Sequence, residues 1–426
     1  RPVRSRAMDA REPLGELVAP EIVPDASLFG GPFRWLVLAH GFSGLAFWSF
    51  YGTVFAEAAF RFGAGTAEMA ILGASLSVPF ILGSLLQGLV VDRWSPKWLS
   101  FIGCLLLAAA IPMAWLAGSL VLLFASSFVV GAAFATIEPA RSALTALLIP
   151  SARLVRANGA ISVSFQTSLV VGTLGGGLLL DLSGAGTVYA AALASTAVAL
   201  GLLLLIPDVR QTGERPALAL GDLRAGARTA WADRCLRLLL IVTVSGWTLI
   251  NVFFVLEPLF VRRVLHQGGD AVLYLWGAHG TGALLGAIAL SRTARGTGRE
   301  VTLVCAGVAA VGVGILVYTG VGLYRVALVA AGISGCGFAL FYPPLLALIQ
   351  RVVSEEQRGR VTGLFVALQE TMGLVSSLAL LALAPLIVVR PTMVGSSMVL
   401  VTIGLLGVRA ARRQETTEHD DVAASR

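Results

Sequence analysis

Two short groups of charged residues stand out in a sequence that is otherwise poor in charge. Asp92 and Arg93 follow Gly88 by four and five positions, and Lys97 follows Arg93 by four. An arginine guanidinium offers its donors in a flat fork, which suits a carboxylate that can only accept. The first group is therefore suited to ion pairing with another charged segment.

The second group supplies such a segment. Glu138 and Arg141 are three residues apart, so they lie on one face of a helix. Asp92 can pair with Arg141, and Arg93 can pair with Glu138. The spacing predicts a cross-paired cluster, and the simpler alternative is a charged turn that only fixes the orientation of the chain.

Two acids lie inside long apolar runs. Glu370 is near the middle of one run, and Glu257 is in the outer third of another. An acid at the centre of a membrane helix costs about 2.5–3.5 kcal/mol on insertion scales, so it usually faces a cavity or a partner. Buried carboxyl groups can take up and release protons near neutral pH. Both acids are candidates for proton coupling, and a structural hydrogen bond to a neighbouring helix is the alternative.

The elements that must position these residues are membrane helices. Hydrophobic residues make up 57% of the 426 residues and charged residues 13%, which no water-soluble surface supports. The apolar runs are continuous rather than alternating, which argues against a β-barrel. Runs of about 20 residues predict twelve spans. These are approximately 35–57, 68–91, 98–117, 119–138, 159–180, 186–206, 238–260, 271–290, 301–319, 323–349, 361–385 and 391–408.

The basic residues predict the orientation. There are 31 of them, and Lys97 is the only lysine. If the N-terminus is cytoplasmic, 26 lie in the tails and cytoplasmic links, as the positive-inside rule requires. The exceptions are Arg61, Arg262, Arg263, Arg325 and Arg390. The sequence predicts a plasma (inner) membrane protein with both termini in the cytoplasm. Nucleic acid is excluded as a partner because the charges form no basic stripe.

The chain repeats itself weakly. A shift of 204 positions places Gly131 and Pro139 on Gly335 and Pro343, as expected for two related halves. The longest polar link separates these halves. The predicted division is a disordered cytoplasmic tail 1–33, a six-helix bundle 34–206, a cytoplasmic linker 207–237, a second six-helix bundle 238–408 and a cytoplasmic tail 409–426.

Several classes of protein are excluded by missing motifs. A phosphate-binding loop ends in Gly-Lys-Ser/Thr, but Lys97 follows Pro96. The sequence contains no His-Glu-x-x-His or Gly-x-Ser-x-Gly motif, and its four cysteines are far apart. We therefore expect neither an ATP-driven pump nor a membrane enzyme, and neither a metal site nor a cofactor.

The charged segments resemble a known family. Gly88-x-x-x-Asp92-Arg93-x-x-x-Lys97 resembles the signature of the major facilitator superfamily. The segments 138–141 and 156–159 resemble its multidrug and siderophore exporter branch. The resemblance covers about residues 33–408. It implies an all-α membrane protein with 12 transmembrane helices, arranged as two six-helix bundles about a pseudo-two-fold axis along the membrane normal.

The resemblance also assigns roles to residues. It implies that Gly88, Asp92, Arg93, Lys97, Glu138 and Arg141 form a gating cluster that locks the cytoplasmic side. In the second half Ser291 stands where Asp92 maps, so the lock should be asymmetric. The glycines of span 5 resemble an exporter antiporter motif, with Thr173 in place of its proline, and close helix packing is the alternative. These glycines are Gly172, Gly176 and Gly177.

Spans 1, 4, 7 and 10 line the central cavity in this superfamily. The resemblance therefore predicts a substrate cavity formed by Trp48, Tyr51, Asn251, Phe254 and Tyr342. Aromatic faces with a few polar groups suit a lipophilic or amphipathic substrate. Phe47 stands where many exporters of this branch carry an acid, which argues against strong selectivity for cations.

The resemblance implies a monomeric secondary active transporter that works by alternating access in the lipid bilayer. The expected function is proton-coupled export of a lipophilic or amphipathic small molecule, such as a drug, antibiotic or siderophore. The alternative is a lysophospholipid or glycolipid translocase, because the same loop pattern occurs in such transporters.

Replacing Asp92 tests the gating cluster. We expect Asp92→Asn to impair transport while the protein stays folded, because the side chain keeps its size but loses its charge. Turnover of the reconstituted protein is the measurement, with thermal unfolding as the control for folding. Turnover equal to that of the wild type would contradict a gating role for Asp92.

Overall fold

A computed structural model describes residues 28–91, 95–150, 153–209, 220–293, 300–353 and 355–424. Almost all of this part of the chain is helical, which confirms the all-α class. A π-helix, Val261–Leu265, continues α8, and a 3₁₀-helix, Ala384–Leu386, follows α12. The α-helices are α1 Phe33–Phe60, α2 Thr66–Val91, α3 Pro96–Trp115, α4 Leu120–Leu148, α5 Leu154–Ser183, α6 Ala185–Leu204, α7 Leu220–Ala232, α8 Arg234–Phe260, α9 Asp270–Thr293, α10 Glu300–Val321, α11 Tyr324–Val352, α12 Glu355–Ala382 and α13 Val389–Ala424.

Eleven helices of the described chain are long and apolar enough to cross a membrane, so the protein is a multi-pass membrane protein. They are α2–α6 and α8–α13. Helix α1 covers the first predicted span but is less apolar, because it carries His40 and several serines and glycines. Helix α7 lies in the expected linker 207–237 and is not predicted by the sequence. Helix α13 continues into the segment expected to be a tail.

The ends of the helices lie at two ends of the protein, which we call arginine-rich and arginine-poor. The arginine-rich end contains the C-terminal ends of α2, α4, α6, α9 and α11, which are followed in the sequence by arginine-containing links. There Lys97 is buried, and its Nζ donates to the carbonyl oxygens of Leu204 and Ile206, at 3.1 and 2.6 Å. Because these carbonyls lie at the C-terminal end of α6, the cation completes hydrogen bonding that the helix cannot complete itself.

The arginine-poor end uses arginines in the same way. Arg61 donates from Nη2 to the carbonyl of Ala117, just beyond α3, at 3.1 Å. Arg390 donates from Nε to the carbonyl of Thr319 at 3.1 Å and from Nη2 to that of Gly320, in the last turn of α10. Both are exceptions to the positive-inside pattern, and their contacts give them a structural reason to lie at this end.

Arg262 is the third such exception, and its contacts join distant parts of the chain. It lies in the π-helix after α8, and its guanidinium donates to the carbonyls of Ala59 and Ala64. Ala59 belongs to the last turn of α1, and Ala64 to the link before α2. Arg262 therefore ties the end of α8 to the end of α1.

The helices form two sets by their main contacts. Helices α1–α6 pack mainly with one another, as do α8–α13, and we call these sets the first and second halves. The most extensive contacts between the halves are α2 with α12 and α5 with α9, and smaller contacts join α1 to α8 and α9 and α2 to α8.

Small residues allow the halves to approach closely. Beside Gly277 of α9 lies the side chain of Leu174 in α5, at a distance where a Cβ would clash. Gly73 of α2 faces Ser377 of α12 in the same way. These contacts lie from the middle of the helices toward the arginine-poor end, so the halves close against each other there.

Replacing Arg262 tests this closure. We expect Arg262→Ala to loosen the arginine-poor end, so that a cysteine introduced at Ser377 reacts about tenfold faster with a hydrophilic maleimide, as expected when a charged hydrogen bond is lost. The protein for this test lacks its four native cysteines. The matched control is Arg263→Ala, because Arg263 is adjacent but exposed. Equal labelling rates in the Arg262→Ala and wild-type proteins would contradict the role of Arg262.

Candidate functional site

A cavity of about 110 Å³ lies between the two halves. Three of the five residues predicted to line a substrate cavity, Tyr51, Asn251 and Phe254, are in its wall. Its polar wall also includes Gln369, Ser77 and Ser377, and its aromatic wall includes Phe55, Trp247 and Trp276. The cavity is therefore aromatic with a few polar groups, a composition typical of small-molecule sites.

Glu370 of α12 is the acid of this cavity. It lies near the middle of its helix, as predicted, and forms no ion pair within the described chain. Its neighbour Gln369 also faces the cavity. Glu370 thus presents a carboxyl group to the space between the halves without a protein cation beside it.

The two other predicted cavity residues pack behind this wall. Tyr342 of α11 lies against Trp247, with ring centroids 5.8 Å apart. Trp48 of α1 packs edge-on against Trp276 at 6.5 Å, and its buried Nε1 has no hydrogen-bond partner among the described residues. Both therefore support the aromatic wall rather than line the cavity itself.

Glu257 of α8 lies behind the cavity and is only 1% exposed. Its Oε2 accepts from Nε1 of Trp276 at 2.7 Å, and its Oε1 accepts from the hydroxyl of Tyr318 at 2.9 Å. Both donors are neutral, and no described cation pairs with Glu257. Its hydrogen-bond partners thus come from α9 and α10 rather than from its own helix.

Glu57 of α1 is a buried acid that the sequence reasoning overlooked. It accepts from the hydroxyl of Tyr189 at 2.6 Å and from Nη1 of Arg61 at 3.0 Å. Glu57 lies 200 positions before Glu257, and each of the two acids is near the C-terminal end of its helix, α1 and α8. This spacing in the sequence could have identified Glu57 as a candidate. The two halves thus carry equivalent acids, of which one has a cationic partner.

The gating residues are only partly within the described chain. Asp92 and Arg93 lie outside it, so their predicted cross-pairing is not described. Arg141 donates from Nη2 to Oε2 of Glu138 at 2.6 Å, within α4. Nε2 of the buried His40 of α1 lies 3.9 Å from Oε1 of the same glutamate.

The other predicted gating residues are structural neighbours of that group. Gly88 lies in the last turn of α2. Lys97 binds the end of α6, as described above. Neither residue is placed beside Glu138 by a contact within the described chain.

The glycines of span 5 lie in α5 where it meets two other helices. A Cβ on Gly172 would approach the carbonyl of Leu45 in α1 to 2.9 Å. One on Gly176 would meet Leu273 of α9 at 2.9 Å, and one on Gly177 would meet Tyr274 at 3.1 Å. All three glycines therefore allow close packing, the alternative left open by the sequence.

A second cavity of about 370 Å³ opens at the arginine-poor end between α1, α5, α6 and α9. Its wall includes Glu57, Arg61, Asp181 and Asp270. Within the described residues, no three His, Cys, Asp or Glu side chains are grouped as metal ligands.

Comparison with solved structures identifies transporters of similar fold. A bacterial homologue of the human lysosomal transporter Spinster, in an inward-facing and unoccupied conformation, has a TM-score of 0.67 and 15% identity, over 89% of this chain and 96% of that chain. A POT family transporter in complex with 5-aminolevulinic acid has a TM-score of 0.73 and 13% identity, over 92% and 98% of the two chains. A mutant of the nucleoside transporter NupG has a TM-score of 0.67 and 16% identity, over 90% and 99%.

At these identities the similarity establishes the fold alone. No curated protein sequence matches the chain. The sequence pattern of the Major Facilitator Superfamily matches residues 36–377, which is most of the chain. The resemblance seen in the charged loop is thereby confirmed at the level of the superfamily. The chain belongs to the Major Facilitator Superfamily, and it is a membrane transporter rather than an enzyme.

Proposed function

We propose that the protein is a secondary active transporter that couples proton movement to the export of a lipophilic or amphipathic small molecule. It works by alternating access between two six-helix bundles, which correspond to the first and second halves and are related by a pseudo-two-fold axis. It acts as a monomer in the plasma (inner) membrane, with the arginine-rich end and both termini in the cytoplasm.

The observation that carries this proposal is the position of Glu370. Its carboxyl group faces a cavity whose walls are aromatic, and no described cation neutralises it. A site of low polarity disfavours the charged carboxylate, so access of water or of a substrate to the cavity changes the balance between its two forms. Aromatic faces beside a few polar groups also suit a lipophilic or amphipathic substrate.

Glu257 supports the proton role through its difference from Glu57. Glu57 keeps a cation beside it, so its charge is compensated. Glu257 has only the neutral donors Trp276 and Tyr318. Because a tyrosine hydroxyl can donate or accept, the site can hold the carboxyl group both with and without its proton.

The contacts between the halves favour export of a small molecule over lipid translocation. A lipid translocase needs lateral access from the bilayer, between α5 and α9 or between α2 and α12. Leu174 fills the space beside Gly277 at the first of these pairs, and Ser377 fills that beside Gly73 at the second. Side chains thus occupy both routes in the part of the chain nearer the arginine-poor end.

The same contacts define the proposed state in the transport cycle. The halves are joined at the arginine-poor end by Arg262 and by the α5–α9 and α2–α12 contacts. With the arginine-rich end in the cytoplasm, this closure belongs to an inward-facing state. The gating cluster Asp92, Arg93, Glu138 and Arg141 then has its role in the opposite, outward-open state, where it closes the cytoplasmic side.

Replacing Glu370 tests the proposed coupling. In proteoliposomes with an imposed pH gradient, we expect Glu370→Gln to reduce gradient-driven dye export about tenfold or more, a loss of about 1.4 kcal/mol or more. Exchange of substrate without a gradient should continue. The control is Glu300→Gln, which removes an acid from an exposed ion pair with Arg351. Gradient dependence that survives in Glu370→Gln would remove Glu370 from the proposal. Gradient-independent flipping of labelled lysolipids by the wild type would favour the translocase.

The two equivalent acids should respond differently to the same substitution. We expect Glu257→Gln to abolish the pH dependence of transport while the protein remains stable, because its partners are neutral. We expect Glu57→Gln to lower the melting temperature while the pH dependence remains, because Arg61 loses a carboxylate that it binds. Transport against pH and thermal unfolding of both variants are the measurements. If Glu57→Gln abolished the pH dependence and Glu257→Gln only lowered the melting temperature, Glu57 would be the proton-binding acid instead.

A further inference from the structure

Trp276 connects the central cavity to Glu257. Its ring forms part of the cavity wall, and its side chain is only 3% exposed. Its Nε1 donates to Oε2 of Glu257 at 2.7 Å. A single side chain therefore contacts both the space proposed for the substrate and a buried acid that does not line that space.

The ring of Trp276 is held mainly by the opposite half of the protein. Trp276 belongs to α9, yet its ring lies 5.5 Å from that of Tyr51 and 6.1 Å from that of Phe55, both in α1. Trp48 of α1 approaches it edge-on at 6.5 Å. Within the second half, Phe254 packs against it at 5.8 Å. A movement of α1 relative to α9 must change the support of this ring.

The surroundings of Glu257 make the indole hydrogen bond important. Tyr318 of α10 is the titratable group that contacts it directly. No other charged or titratable group of the described chain forms a hydrogen bond or ion pair with it, whether from its own helix or from the helices that pack around it. The charged and titratable groups of these elements that make no such bond to Glu257 include Arg262 and Arg263 beyond the end of α8, Asp270 and His279 of α9, Tyr324 of α11, Glu370 of α12 and Glu57 of α1.

Trp276 and Tyr318, the two partners of Glu257, differ in whether they can accept a hydrogen bond. An indole N–H can only donate, so it favours the charged carboxylate. The hydroxyl of Tyr318 can turn and accept from a protonated carboxyl group. Loss of the indole contact alone therefore changes the balance between the two forms.

We propose that Trp276 is the positioning residue through which the closure of the two halves controls proton uptake by Glu257. When α1 holds the ring in place, the indole N–H stabilises the carboxylate. When the halves separate at the arginine-poor end, the N–H leaves Oε2 and the carboxylate binds a proton from the aqueous side. This inference rests on the proposed role of Glu257 in proton coupling.

The experiment removes the N–H while keeping an aromatic ring. Transport by Trp276→Phe in proteoliposomes is measured across a range of pH, together with substrate binding. We expect the pH midpoint to rise by about one unit, because the carboxylate loses one hydrogen bond to its charged form. Substrate affinity should change much less. Trp48→Phe is the matched control, because Trp48 belongs to the same aromatic group and its N–H has no partner in the described part of the chain.

If Trp276→Phe does not fold, a second variant tests the same inference. Benzothienylalanine at position 276 keeps the shape of tryptophan but carries sulfur in place of the N–H. The same rise of the midpoint is expected for it. In addition, neither change at position 276 should restore a pH dependence when it is combined with Glu257→Gln, because both act through the same carboxylate.

The outcomes separate this inference from the function it rests on. If wild-type transport depends on pH and Glu257→Gln abolishes that dependence, an unchanged midpoint in both position-276 variants overturns the role of Trp276 alone. If Glu257→Gln retains the wild-type pH profile, the proposed role of Glu257 fails, and the inference fails with it. A rise that also occurs in Trp48→Phe would assign the effect to ring packing and overturn the inference.

Discussion

The structure depends on one constraint of the bilayer, which offers no water to the backbone. Helix interiors satisfy their own hydrogen bonds, but the last carbonyls of each helix need outside partners. Lys97 binds them at the arginine-rich end, and Arg61, Arg262 and Arg390 bind them at the other. A cation also interacts favourably with the negative end of the helix dipole. These few charges therefore hold the helix ends together as well as orienting the chain.

The same constraint explains how the protein treats its interior acids. Glu57 is compensated by an arginine, Glu257 by neutral donors, and Glu370 faces a cavity without a described cation. The cost of holding a carboxyl group in the membrane is thus met in three different ways. Only the last two leave room for a change of charge state, and aromatic rings from both halves surround that region. The packing of the two halves therefore determines the surroundings of the acids at the central cavity.

Composition predicted twelve spans, and eleven described helices are long and apolar enough to cross a membrane, because span length and apolarity are the main requirements of a bilayer. Tertiary partners could not be predicted in this way. Glu257 reaches Trp276 and Tyr318 on other helices, and the face that each helix turns inward is decided by packing. Glu57 could have been found from its correspondence with Glu257. Helix α7 was missed because it is short and polar, unlike a span.

Several contacts of the arginines at the arginine-poor end are made to the main chain, and this affects how such contacts can be detected. The main-chain partners of Arg262 and Arg61, at positions 59, 64 and 117, are alanines. Alanine-scanning mutagenesis leaves those positions unchanged, and a carbonyl oxygen is present whatever residue evolution places there. Covariation between homologous sequences would therefore carry little signal for these contacts. The contact of Arg262 with the first half is therefore visible in the structure, whereas substitutions at its alanine partners would not reveal it.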